Sequence, residues 1–178
     1  TKSIEEESSE YAKSSTNSVF LENSQIQKNS QVIDANLDRA REGLRVIEEW
    51  CRFYLEDVDT VIKLKSWRQT LGTLHSKKYK YSRNINSDIG LGLNHPAQKN
   101  RNITEGIISP NCSRVQEALR VLEEFARNTD KELAQIAPKI RYGLYELEIK
   151  ILKYSSLSIR LDKLNNCNLC LITSSQEN

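Results

Sequence analysis

Seventeen residues occur twice in this chain, and the second occurrence limits what the first can be. Asn36 to Arg52 reads NLDRAREGLRVIEEWCR, and seventy-five positions later Asn111 to Arg127 reads NCSRVQEALRVLEEFAR. Nine positions are identical: Asn36/Asn111, Arg39/Arg114, Glu42/Glu117, Leu44/Leu119, Arg45/Arg120, Val46/Val121, Glu48/Glu123, Glu49/Glu124 and Arg52/Arg127. Gly43/Ala118, Ile47/Leu122 and Trp50/Phe125 are close in size and character. A helix duplicated only to fill a core would keep its apolar positions and let its solvent-facing ones drift. Here six of the nine identities are charged, so the repeated pattern is a first sign of a site as well as of a fold.

The apolar residues set the local structure. Ile33, Leu37, Ala40, Leu44, Ile47 and Cys51 recur at spacings of 4, 3, 4, 3 and 4, which places them on one helix face with Asp34 as N-cap. A neighbouring stripe of Asn36, Arg39, Gly43, Val46 and Trp50 turns from polar to apolar, so the C-terminal half of this helix is expected to be buried on two sides. Gly43 costs a helix about 1 kcal/mol relative to alanine and suits the close approach of another helix or a ligand. Asp59 is placed to cap a second helix with Leu64, Trp67, Leu71 and Leu74 on its core face. These match Ala137, Ile140, Leu144 and Leu147 at an offset of seventy-three, and Arg68 matches Arg141, so the repeated unit is a helix pair. Ser109–Pro110 reads as N-cap and N1 of the second copy, and Thr129 with Glu132 as a capping box. Leu133, Ile136, Ile140, Leu144, Leu147 and Ile151 form the last core face, with Pro138 expected to kink or restart the helix.

The expected fold is therefore all-α: two internally repeated helix pairs in a pseudo-twofold bundle, with a long inter-repeat loop and a short strand-like tail. Its domain spans residues 32–154, with repeat 1 at about 33–75, the loop at 76–107 and repeat 2 at about 108–154. Residues 1–31, rich in Ser, Glu and Asn, read as a disordered leader, and residues 155–168 as a linker. The loop of about thirty residues carries Gly90, Gly92, Pro96 and Gly106 after a basic start, a length that marks a functional segment.

Of the 178 residues, 28% are charged and the net charge is +2, a balance that suits a globular protein and says little about partners. No segment reaches the roughly 18 apolar residues of a spanning helix, so a cytosolic setting is expected and a membrane is not. Cys51 matches Ala126 and Cys112 matches Leu37, which makes both core residues and argues against a disulfide framework. Cys167 and Cys170 form a CxxC without a second pair, and His75 and His95 stand alone as surface or loop residues. The chain begins without Met and stops in mid-pattern, as a fragment would.

Phosphate loops, zinc-spaced His/Cys sets and nucleophile elbows are absent from the sequence. Arg45, Glu48, Glu49 and Arg52 read as solvated i,i+3 and i,i+4 pairs. For Asn36, Arg39, Glu42 and their copies Asn111, Arg114 and Glu117, two readings stay open, structural and functional. Near a helix N-terminus, free N–H groups and a fork-shaped guanidinium would suit a phosphate.

The run from Arg83 through Asp88 to Gly90, an R-x4-D-x-G pattern, together with the doubled N-x-x-R-x-x-E, resembles the helical hydroxymethylpyrimidine phosphate kinase domain of thiamin biosynthesis. In cyanobacteria such a domain precedes thiamine phosphate synthase. The similarity covers about residues 32–154. The tail from Leu169 to Ser174 is similar to the opening strand of the synthase barrel, with Ser174 where that run usually has Asp. The resemblance implies ATP-dependent phosphorylation of 4-amino-5-hydroxymethyl-2-methylpyrimidine phosphate to the diphosphate, for use by an adjoining synthase barrel. It implies that Arg83, Arg39 and Arg114 hold phosphates, that Asp88, Glu42 or Glu117 holds Mg²⁺, that Asn36 and Asn111 orient substrate, and that Gly90 lets the loop approach the nucleotide. Leu91 stands where the family often has Thr.

A rival reading makes the domain a non-catalytic module that dimerises or tethers the synthase. The repeated Arg and Glu favour a ligand site, since interfaces rely on apolar anchors; a homodimer stays open. Nucleic-acid binding by the Lys77 to Arg83 patch is weak at a net charge of +2.

Overall fold

The computed structural model describes residues 2–83 and 105–165. Asp88, Gly90 and His95 lie outside the described residues, as do Cys167, Cys170 and the strand-like tail. Five helices follow in order: α1 (Lys2–Phe53), α2 (Val58–Leu74), α3 (Lys77–Tyr81), α4 (Glu105–Ala126) and α5 (Lys131–Asn165). The described residues contain no strand, and none of their helices is long and apolar enough to cross a membrane. The all-α fold read from the apolar period is the fold observed.

The main seams run between α1 and α4, α4 and α5, and α1 and α2, with a smaller one between α2 and α5. Ile33, Leu37, Ala40, Leu44, Ile47 and Cys51 are all buried, as are Leu133, Ile140, Leu144, Leu147 and Ile151. Trp50 and Gly43 are buried as well, but Val46 is 38% exposed, so the second stripe of α1 is covered only in part. At Gly43 an added Cβ would lie 2.5 Å from Val115 Cγ2 and 3.3 Å from the Asn111 carbonyl oxygen. The glycine is thus a point of close approach between α4 and α1. Gly143 does the same for α2 and α5, where Trp67 Cζ2 would stand 2.7 Å from a Cβ.

Equivalent residues of the two pairs make matching contacts. Arg68 Nε donates to Glu48 Oε2 at 2.9 Å, and Arg141 donates through Nη2 to Glu123 Oε2 at 2.9 Å. Arg45 pairs with Glu48 and Glu49 as Arg120 pairs with Glu123 and Glu124. Glu48 is buried at 4% exposure, so these charges are not only solvated surface pairs: Glu48 is a buried node joining α1 to α2.

Several helix ends differ from the sequence expectation. Residues 2–31 are the N-terminal part of α1, not a disordered leader, and Asp34 lies inside the helix instead of capping it. The stretch holds no Gly or Pro, so a helix nucleated on the packed residues extends through it. The cap of α2 is Asp57, which accepts from Thr60 N at 3.1 Å, in place of Asp59. The chain turns into it through Glu56 at φ 51°, a left-handed residue. The cap of α5 is Asp130, which accepts from Leu133 N at 3.1 Å, in place of Thr129. Pro110 falls within α4, whose earlier turn buries Ile108, and α5 passes through Pro138 and across most of the expected linker to Asn165. The expected loop begins with α3, whose Tyr79 is buried.

Candidate functional site

The site grows from the end of the bundle where α2 returns to α1. Asp34 and Asp38, four residues apart on α1, share a helix face, and α2 delivers His75 as its C-cap. His75 Nε2 lies 2.7 Å from Asp34 Oδ1, and its Nδ1 lies 3.5 Å from Asp38 Oδ1. Arg83 reaches both carboxylates: Nε and Nη2 donate to Asp34, the latter at 3.1 Å, and Nη2 also donates to Asp38. Burial pushes the Asp34 carboxyl up, but hydrogen bonds from Arg83 and His75 outweigh it and hold the group below its ordinary range. Arg83, which the sequence assigns to phosphate, is here bound to protein carboxylates.

Asp38 also faces a groove between α1 and α2 of about 320 Å³, lined by Asp38, Arg41, Glu42, Arg45 and Arg68. Arg45 and Arg68 are tied to Glu48. Arg41 stands 3.8 Å from Asp38, too far for a hydrogen bond, and its buried Nε has no hydrogen-bond partner. Its guanidinium lies about 3.6 Å from where a Cβ at Gly72 would be, so the glycine leaves it room to lie along α2.

The second pair has a groove of about 510 Å³, lined by Ser113, Gln116, Glu117, Arg120, Val121, Arg141 and Tyr145. Arg141 lies over the Tyr142 ring at 4.6 Å and reaches the Tyr145 hydroxyl at 3.4 Å. Where copy 1 has Asp38 and Arg41, copy 2 has Ser113 and Gln116, and Glu148 there accepts from Gln116 at 2.7 Å. The first groove is lined by three guanidiniums and two carboxylates, the second by two and one, so the two carry the same net charge and the first is the more densely charged.

The sequence-named residues fall apart into groups. Glu42 lines the first groove and Glu117 the second. Asn36 and Asn111 are buried, and their amides donate to the Val32 and Ile107 carbonyls four residues back, at 2.8 and 2.6 Å. Arg114 Nη1 donates to Asn111 Oδ1 at 2.9 Å, whereas Arg39 is exposed. Asp88 and Gly90 lie outside the described residues. Among the described residues, the acids and histidines close enough to share a metal ion are Asp34, Asp38 and His75, whose ligand atoms lie within 4.8 Å of one another. Sequence reasoning passed over this trio and Arg41. The i,i+4 spacing of the two aspartates was the available signal; His75 carried none until α2 placed it.

Compared with protein families, residues 31–150 match the model of the ThiD2 family. The chain belongs to this family. ThiD2 relatives of known designation include the thiamine-phosphate synthase of Prochlorococcus marinus (strain MIT 9303), 56% identical over 147 residues, which are 83% of this chain and 42% of that protein. The thiamine-phosphate synthase of Parasynechococcus marenigrum (strain WH8102) is 56% identical over 145 residues, 82% of this chain and 42% of that protein. That of Synechococcus sp. (strain CC9311) is 56% identical over 144 residues, 81% and 41% of the two chains. The chain thus spans about two fifths of the length of the curated relatives it matches. No solved structure matches it.

Proposed function

We propose that this ThiD2 chain is the N-terminal part of a thiamine-phosphate synthase acting in thiamin biosynthesis, and that its helical domain phosphorylates hydroxymethylpyrimidine phosphate to the diphosphate with ATP. The observation that carries the kinase reading is the α1–α2 groove, where three guanidiniums face a space of about 320 Å³. Phosphoryl transfer needs positioning and neutralised charge more than covalent chemistry from the protein. Arg41, which lines the groove and stands 3.8 Å from its nearest carboxylate, supplies the phosphate donor, while Glu48 fixes Arg45 and Arg68 in place as the surrounding positive field. Arg39, Arg83 and Arg114 remain proposed phosphate ligands, Asn36, Asn111 and Gly90 proposed substrate and nucleotide contacts, and Asp88 and Glu117 proposed Mg²⁺ ligands. Glu42 offers a hard oxygen donor in the same groove as the guanidiniums, so the residues fit Mg²⁺. When bound, that ion would offset phosphate charge.

The test follows ADP formation by the whole 178-residue chain with the pyrimidine monophosphate, ATP and Mg²⁺. Turnover that falls at least about tenfold in Arg41→Ala, with helicity unchanged, supports the reading. No turnover above the Arg39→Ala, Arg114→Ala and Arg41→Ala variants leaves the tethering or dimerising module in its place.

A further inference from the structure

We infer that Asp38 and His75 form a binding site for a divalent transition metal of the Mn²⁺ and Zn²⁺ class, with Asp34 holding the imidazole. A carboxylate only accepts hydrogen bonds, so the 2.7 Å contact of His75 Nε2 with Asp34 Oδ1 places the proton on Nε2. In the neutral ring Nδ1 then carries the lone pair. That nitrogen belongs to a side chain with 0% exposure and has no hydrogen-bond partner. It faces Asp38 Oδ1 at 3.5 Å, so with the ring neutral two electron-pair donors look at each other.

A buried acceptor without a donor is costly, and a cation relieves it. Bonds of about 2.0–2.2 Å from a near-tetrahedral ion put neighbouring ligand atoms roughly 3.3 Å apart, close to the distance observed. A carboxylate on the far nitrogen is the usual support of a metal-bound histidine, fixing ring and tautomer. On Asp38, Arg83 uses Oδ2, and Arg41 stands 3.8 Å from Oδ1, beyond hydrogen-bonding distance, so Oδ1 accepts from neither. Asp38, its side chain 37% exposed, also lines the α1–α2 groove. One imidazole nitrogen and one carboxylate select Mn²⁺ or Zn²⁺ over Mg²⁺ or Ca²⁺, which favour oxygen alone. Water fills the remaining positions. The second pair lacks the site, since Asp34, Asp38 and His75 correspond there to Ser109, Ser113 and Glu148.

The inference does not depend on the kinase reading and is tested without nucleotide. The whole chain is titrated with Mn²⁺ and followed by electron paramagnetic resonance. One ion is expected to bind, with ¹⁴N coupling from an imidazole in the pulsed spectrum, and Zn²⁺ is expected to displace it. Asp38→Asn, at a half-exposed position, is expected to weaken binding at least about tenfold with unchanged helicity. No binding at millimolar Mn²⁺, a bound ion without nitrogen coupling, or affinity unchanged in Asp38→Asn would each overturn it.

Discussion

Arg68 Nε donates to Glu48 Oε2 at 2.9 Å across the α1–α2 seam, and this joins a helix pair through a carboxylate that is only 5% exposed. Removing the partner is therefore worse than removing the pair. Arg68→Ala leaves Glu48 with only Arg45, itself half exposed, and is expected to cost about 2 kcal/mol in urea unfolding. The double variant Glu48→Gln, Arg68→Met is expected to recover most of that loss.

Gly43→Ala is expected to destabilise in spite of its better helix propensity. The new methyl would meet Val115 Cγ2 at 2.5 Å, and a β-branched side chain in a buried seam cannot turn aside. Overpacking costs about 1–3 kcal/mol against a propensity gain of about 1. Thermal unfolding is expected to show a lower midpoint for Gly43→Ala and a higher one when Val115→Ala is added to it.

Asp57 ties α2 to α5, capping the first and accepting from Lys150 Nζ of the second at 2.8 Å. The Lys150 hydrogen bond, with those from Thr60, holds its carboxyl at about 2. A carboxyl depressed on folding stabilises fully above its unfolded pKa of about 3.9 and loses that contribution as pH falls toward the folded value. Stability of the parent chain is expected to drop through this window more steeply than that of Asp57→Asn, which has no carboxylate there. Guanidinium unfolding at stepped pH between neutrality and the acid limit measures the difference.

Cys51 and Cys112 have 0% exposure, and burial raises both thiols to about 12. Neither is expected to react with an alkylating reagent at pH 8 in the folded protein, and both are expected to react in denaturant. Peptide mass spectrometry reads the two sites separately. Labelling of either in the native chain would mean that the α1–α4 seam opens.

The period of the apolar residues carried the helix faces and their pairing, because burial follows the turn of the helix. Helix ends were harder to read. Asp57 and Asp59, or Thr129 and Asp130, stand within one turn of each other, and spacing alone does not say which side chain bonds the free N–H groups. Asp34 looks like a cap until one sees that nothing N-terminal to it breaks the helix. The candidate site shows the same limit in another form. Repetition drew attention to Asn36, Arg39 and Glu42, and two of these make local helix contacts or line the groove. Asp34, Asp38 and His75 are not repeated, so a comparison of the copies passes over them; their meeting depends on α2 ending beside α1.

The short helix α3 belongs to neither copy, yet it is fastened to α1 and to the start of α5. Tyr79, 1% exposed, donates to Asp130 Oδ2 at 2.6 Å at the cap of α5, and Gln31 of α1 donates to the Ser82 carbonyl at 2.7 Å. A chain assembled from two like halves has thereby acquired a joint that neither half possesses. Cut between the pairs, the first fragment would carry an exposed tyrosine and the second a helix start missing one of its bonds.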